Sequence, residues 1–137
     1  MARKLRTTLP QTNTLKIDKD CFVNSRLNME YVRTVLHTCR KYGVSIQWIR
    51  HSKSRHGMHF YIRIKPSLSP RIANNLQYLL GDDAKRVEFN RARIESGLAE
   101  WNKLFEKPNV KLNTIYHNYS TKVADTDIEV ESFRFTA

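Results

Sequence analysis

The chain is poor in cysteine, glycine, proline and acid. Its 137 residues include two cysteines, four glycines, four prolines and 13 acidic residues against 24 lysines and arginines. Cys21 and Cys39 form neither a C-x-x-C nor a zinc-ligand spacing, so a disulfide framework and a structural zinc site are both excluded and a reducing compartment is expected. No run of about 18 apolar residues is present from which to build a membrane helix. The basic start Met1-Ala-Arg-Lys-Leu-Arg6 leads into Thr-Thr-Leu-Pro and not into an apolar stretch, so no secretory signal is read. A soluble, intracellular (cytoplasmic) protein without a membrane partner follows as the expectation. No internal repeat, low-complexity run or linker divides the chain.

What is present is a core and an excess of positive charge. Hydrophobic residues make up 40% of the chain, which excludes a disordered polymer, and the length suffices for one domain that buries its apolar surface without staples. The formal charge of +11 attracts polyanions and favours their binding through counterion release, which makes nucleic acid the leading partner. Residues 1–12 lack periodicity and carry Arg3, Lys4 and Arg6, so they read as a basic flexible arm ahead of a single domain spanning 13–137.

The most informative stretch is Val44–Lys65, two strand-type runs around a polar connector. In the first run Val44, Ile46 and Trp48 share a face by the period of two; in the second, Met58, Phe60, Ile62 and Ile64 do so, leaving His59, Tyr61, Arg63 and Lys65 in line on the opposite face. The run around Leu15 and Ile17 predicts a strand before this hairpin, with Asp18 and Asp20 projecting together away from the core. Between them, Asn28 can cap a helix to about Tyr42 that buries Val32, Val35, Leu36 and Cys39 and stops at Gly43. A second helix is predicted over 69–81, with Pro70 at its first position and Ile72, Leu76, Leu79 and Leu80 buried. Residues 82–94 fit a third helix better than a strand, and the spacing of Leu98, Trp101, Leu104 and Phe105 suggests a short fourth one. Strand-like pieces at 110–119 and 128–135 complete an α+β domain, with a mostly antiparallel sheet of about four strands (RRM- or palm-like), helices on one face and a polar face exposed or partly covered by the C-terminal segment.

If the first strand lies beside the hairpin, Asp18, Asp20 and His59 share one sheet face. Two carboxylates at alternate strand positions can hold Mg²⁺ or Mn²⁺ and leave room for substrate phosphates. Asp82 and Asp83, directly before a helical run, have a simpler reading as a helix cap. Arg86, Asn90 and Arg93 fall on one side of that helix and would form a cationic ridge.

The segment Ser52-Lys-Ser-Arg-His-Gly-Met-His59, followed by Phe-Tyr-Ile, resembles the Ser-x-Ser-Gly-x-Gly-x-His signature of the archaeo-eukaryotic primase superfamily, with Arg55 standing where the first glycine is usual. The resemblance spans about residues 13–95 and includes the order of an Asp-x-Asp strand, a helix, the motif and a later acidic residue. It implies metal-dependent nucleotidyl transfer in replication, with Asp18, Asp20 and His59 catalytic and Asp83 joining the two aspartates at the metal, Asp82 or Glu88 being the other candidates for that third place. It also implies contacts from Ser52, Lys53, Ser54 and Arg55 to the phosphates of a nucleoside triphosphate. Tyr61, Arg63, Lys65, Arg86 and Arg93 would meet the nucleic acid, single-stranded or primer-template DNA. Two alternatives stand beside it. One is a non-catalytic single-strand DNA or RNA binder using the Tyr61 face. The other is a rolling-circle-type endonuclease with His56, His59 and Tyr116 or Tyr119, although a spacing of three puts His56 and His59 on opposite faces of a regular strand.

Overall fold

The computed structural model describes residues 9–20, 25–54 and 57–118. Strand β1 (Thr12–Lys19), helix α1 (Ser25–Lys41), strands β2 (Ser45–Lys53) and β3 (Met58–Leu68), helices α2 (Pro70–Leu79) and α3 (Ala84–Glu95) and strand β4 (Asn113–His117) follow in that order. The sheet runs β1-β3-β2-β4 and every neighbouring pair is antiparallel. Strands β1 and β2 therefore point the same way with β3 between them, a split β-α-β arrangement. Thr12 already pairs with Leu68 and Leu9 packs against the core, so the ordered domain begins before residue 13. The remainder of the expected arm, and the strand expected at 128–135, lie outside the described residues.

One sheet face carries the core. Leu15 and Ile17 of β1, Ile46 and Ile49 of β2, and Met58, Phe60, Ile62 and Ile64 of β3 meet Val32, Val35 and Cys39 of α1 and Ala73, Leu76 and Leu80 from α2 and its C-cap. Each of the Leu, Ile, Val, Met and Phe side chains among them contributes about 1.5–3 kcal/mol when fully buried. Burial also pushes the Cys39 thiol up to about 11, which keeps it protonated and inert. Gly43, at φ +72°, supplies the left-handed residue that turns the chain from α1 into β2.

Two side-chain assignments made from periodicity change. Between Ile46 and Trp48 the β2–β3 register skips a residue; this bulge moves Trp48 off the face of Val44 and Ile46 and onto the opposite one, where it is buried with Tyr61 and Leu104. On α2 the buried stripe is Ala73, Leu76, Gln77 and Leu80, while Ile72 and Leu79 are 55% and 52% exposed. The helix turns its small and amide-bearing positions inward because the Gln77 amide accepts from the Lys16 backbone N–H at 3.0 Å and donates to Asn102 at 3.2 Å.

Truncating the true stripe should therefore cost far more than truncating the larger side chain beside it. Leu76→Ala is expected to lose about 2–5 kcal/mol and Ile72→Ala less than about 0.5 kcal/mol, as read from urea unfolding midpoints; equal losses would contradict this orientation of α2.

Candidate functional site

The face of the sheet opposite the core is polar along its middle, and the register decides what meets there. Asp18 of β1 pairs with His59 of β3, and His59 pairs in turn with Ser52 of β2, so three strands bring a carboxylate, an imidazole and a hydroxyl side by side. Tyr61 follows two residues along β3 on the same face.

No helix forms around Leu104. Residues 101–112 form neither helix nor strand apart from a single bridge at Glu106, with Trp101 in the main core and Leu104 and Leu112 against Trp48 and Tyr61. This strap carries Glu106 into the polar face, where the residue is only 4% exposed. A single oxygen, Glu106 Oε2, accepts from Ser52 Oγ at 2.7 Å and Tyr61 Oη at 2.6 Å and lies 2.9 Å from His59 Nδ1. Burial pushes the Glu106 carboxyl up, but the hydrogen bonds from His59, Tyr61 and Ser52 outweigh it and hold the carboxyl below its ordinary value. An ionised carboxylate only accepts, so the proton of this contact sits on Nδ1 and the ring turns Nε2 toward Asp18. Nε2 lies 3.5 Å from Asp18 Oδ1, with the His59 and Asp18 side chains 11% and 36% exposed. Burial raises the Asp18 carboxyl against the opposing pull of His59 and Arg86. One proton between His59 Nε2 and Asp18 relieves the clash of a lone pair with a carboxylate. Nε2 and the Asp18 carboxyl therefore face each other at the rim of the site.

The strap is anchored by Arg86. Its guanidinium donates to Asp82 at 2.6 Å, to the Lys16 carbonyl at 2.9 Å, to Asn102 Oδ1 at 2.8 Å and to the Lys103 carbonyl at 3.0 Å. Asp82 also accepts from the backbone N–H of Asp18 at 2.9 Å, so it braces β1 from below the site. Asp83 caps α3 through the N–H groups of Lys85 and Arg86, the simpler of its two readings.

Of the residues picked from the sequence, Asp18, His59 and Ser52 converge. Asp20 is exposed just beyond β1, Lys53 is exposed at the end of β2, Ser54 closes the hairpin by donating its N–H to Gly57 at 2.9 Å, and Arg55 and His56 lie outside the described residues. Tyr61 is fully buried, so it offers no open ring for a base to stack on. Arg63 lies half-buried over the Trp48 ring at 5.0 Å with its Nε on Thr14, and Lys65 is exposed. The expected ridge on α3 is turned inward: Arg86 is engaged as described, Asn90 is fully buried and donates to Asn74, and Arg93 reaches Asn90. Glu88 is exposed and paired with Arg91 at 2.7 Å. Tyr116 sits on β4 opposite Ile49 and packs against the core, on the other side of the sheet from His59. Tyr119 lies outside the described residues. Glu106 escaped the sequence reading because a lone acid in Leu-Phe-Glu-Lys-Pro has no periodic signal.

Among the described residues no group of three or more His, Cys, Asp or Glu side chains is placed to hold a metal ion. With Asp83 engaged as a cap, Asp82 by Arg86 and Glu106 by Ser52, His59 and Tyr61, the one carboxylate left against His59 is Asp18, with Asp20 exposed two residues further along the chain. These two do not form a closed protein cage; a Mg²⁺ or Mn²⁺ ion held there would need water or substrate for most of its ligands. A cleft of about 340 Å³ lies elsewhere, lined by Leu36, Arg40, Val44, Tyr116 and Asn118 near the end of α1. No helix among the described residues is long and apolar enough to cross a membrane. No protein-family model matches the chain, and neither a curated protein nor a solved structure matches it.

The two carboxyls predict opposite pH dependences. Glu106, with its folded pKa below the ordinary 4.5, stabilises the fold fully above that value and loses this contribution as pH falls through the lower one. Asp18, raised above 3.8, disfavours the fold when ionised and is relieved as pH falls through its raised value. Glu106→Gln should lower stability at neutral pH and flatten the loss below pH about 4.5, whereas Asp18→Asn should not; urea midpoints across pH about 3–7 check this, and an unchanged acid slope in Glu106→Gln would refute it.

Proposed function

We propose that this chain is a nucleic-acid-binding protein of the replication type, with single-stranded or primer-template DNA as its partner, and that it works in the manner of the primase-polymerase palm which its Ser52–His59 segment resembles. The observation that carries the reading is the pairing of Asp18 with His59 across adjoining strands, 3.5 Å apart at a partly open rim. The excess of 24 basic over 13 acidic residues supports a polyanionic partner. Glu106 fixes the imidazole ring, leaving Nε2 to take or return a proton at a hydroxyl or phosphate brought to the rim. Asp18 and Asp20 would hold a Mg²⁺ or Mn²⁺ ion together with the phosphates of a nucleoside triphosphate, and the ion would supply charge neutralisation there.

A second reading, a non-catalytic nucleic-acid binder, draws on a specific observation: Asp82, Asp83 and Glu106 are all engaged in internal contacts, which leaves few carboxylates for metal chemistry.

Single-strand DNA affinity measured across a salt series should fall with a log–log slope of about −0.7 per phosphate neutralised. Mn²⁺-dependent primer synthesis or extension should be lost in Asp18→Ala and in His59→Ala, with DNA binding changed by less than about threefold, since these side chains are not the main phosphate contacts. Salt-sensitive binding without synthesis would select the second reading. Absence of binding to any polyanion would discard both.

A further inference from the structure

Three donors on two neighbouring strands converge on one oxygen of the chain's own strap. Ser52 Oγ, Tyr61 Oη and His59 Nδ1 lie 2.7, 2.6 and 2.9 Å from Glu106 Oε2, and all three residues are buried. Such a cradle is built for an oxyanion: it supplies three fixed donors and excludes water, which strengthens each contact. The sheet itself provides every donor, since Ser52, His59 and Tyr61 belong to β2 and β3. Only the acceptor is delivered from elsewhere.

The strap that delivers it is unevenly held. Its first part is fixed by Trp101 in the core and by the bonds of Arg86 to Asn102 and Lys103. Beyond Leu104 the chain passes through exposed Phe105, Lys107, Pro108 and Asn109, with Asn109 at φ +63°, and Leu112 is only half-buried where it returns to Trp48 and Tyr61. No residue of the stretch 105–111 belongs to the main core cluster, so its displacement would open the smaller cluster of Trp48, Tyr61 and Leu104 and leave the main core in place. Release of Glu106 would take from Ser52, His59 and Tyr61 the acceptor they share, a cost that disfavours an empty cradle but allows exchange of one anion for another.

We infer that the Leu104–Leu112 strap is an autoinhibitory plug: Glu106 occupies an oxyanion cradle on the polar sheet face and competes there with a phosphoryl oxygen of the bound partner. The inference rests on the nucleic-acid reading for the identity of the competing anion. The cradle itself does not depend on it.

The test uses the full chain and inorganic phosphate as probe. In Glu106→Ala, phosphate should raise the thermal midpoint in a dose-dependent way, and it should do so neither in the unsubstituted protein nor in Ser52→Ala/Tyr61→Phe/Glu106→Ala. In Glu106→Gln, which keeps the shape but weakens the plug, the partner anion should bind at least about tenfold tighter, the factor by which a plug seated about 90% of the time masks a site. A single-strand oligonucleotide and a nucleoside triphosphate, titrated separately, identify which source of phosphate gains. A phosphate-insensitive Glu106→Ala overturns the plug; should that variant not fold even with phosphate, a folded Glu106→Gln that binds both anions no tighter overturns it. Phosphate rescue without any oligonucleotide or nucleotide binding would keep the cradle and remove the proposed function, whereas DNA binding without rescue would do the reverse.

Discussion

The arrangement of the polar face depends on one largely covered cation, Arg86, whose side chain is 10% exposed. Arg86 joins the loop before α3, the backbone of β1 and the strap after α3 through Asp82, the Lys16 carbonyl, Asn102 and the Lys103 carbonyl. A guanidinium suits this position because its planar fork reaches several acceptors at fixed angles, which the single ammonium of a lysine cannot do. A charge this deep is tolerable only when its donors are satisfied, and removal of one partner from such a pair is strongly destabilising. Asp82 gains from the same arrangement, since it also accepts from Asp18 and Asp83. Through Arg86, the placement of Glu106 and that of Asp18 become linked although they lie far apart in the chain.

That linkage explains why a polar cluster can persist inside a small domain. The apolar core lies on the other side of the sheet, so the polar side would normally be solvated. Here the strap closes it with Leu104 and Leu112 over Trp48 and Tyr61, and a closed face needs its polar groups paired. Ser52, His59 and Tyr61 are paired by one carboxylate, which is the cheapest single acceptor able to serve three donors. The cluster is thus a consequence of covering the sheet, and His59 inherits from it a fixed tautomer and a fixed direction.

A pattern in the sequence reaches only as far as the neighbours that produce it. Local patterns hold where one residue's neighbours decide its fate: the hairpin, the α1 stripe of Val32, Val35 and Cys39, the stop at Gly43 and the helix beginning after Asp83 all follow from spacing and backbone preference. Patterns fail where a distant group competes. The bulge at Gln47 breaks the period of two and sends Trp48 across the sheet. Gln77 turns inward because β1 and Asn102 need its amide, and this rotates Ile72 and Leu79 outward. Arg86 and Asn90 read as a solvated ridge until the acceptors that bury them are in view.

The amino-acid order alone was enough for the class of fold and for the run from β1 to α3, though not for the helix expected around Leu104. It made the meeting of Asp18 with His59 conditional on β1 lying beside the hairpin, because alternation fixes the face of a strand but not its neighbour. It could not reveal that Glu106 would enter that meeting, or that Tyr61 would be covered. Those outcomes arise from a segment without periodicity whose path is set by Trp101, by the donors of Arg86 and by the need of three buried polar side chains for an acceptor, and such requirements exist only once the sheet has formed.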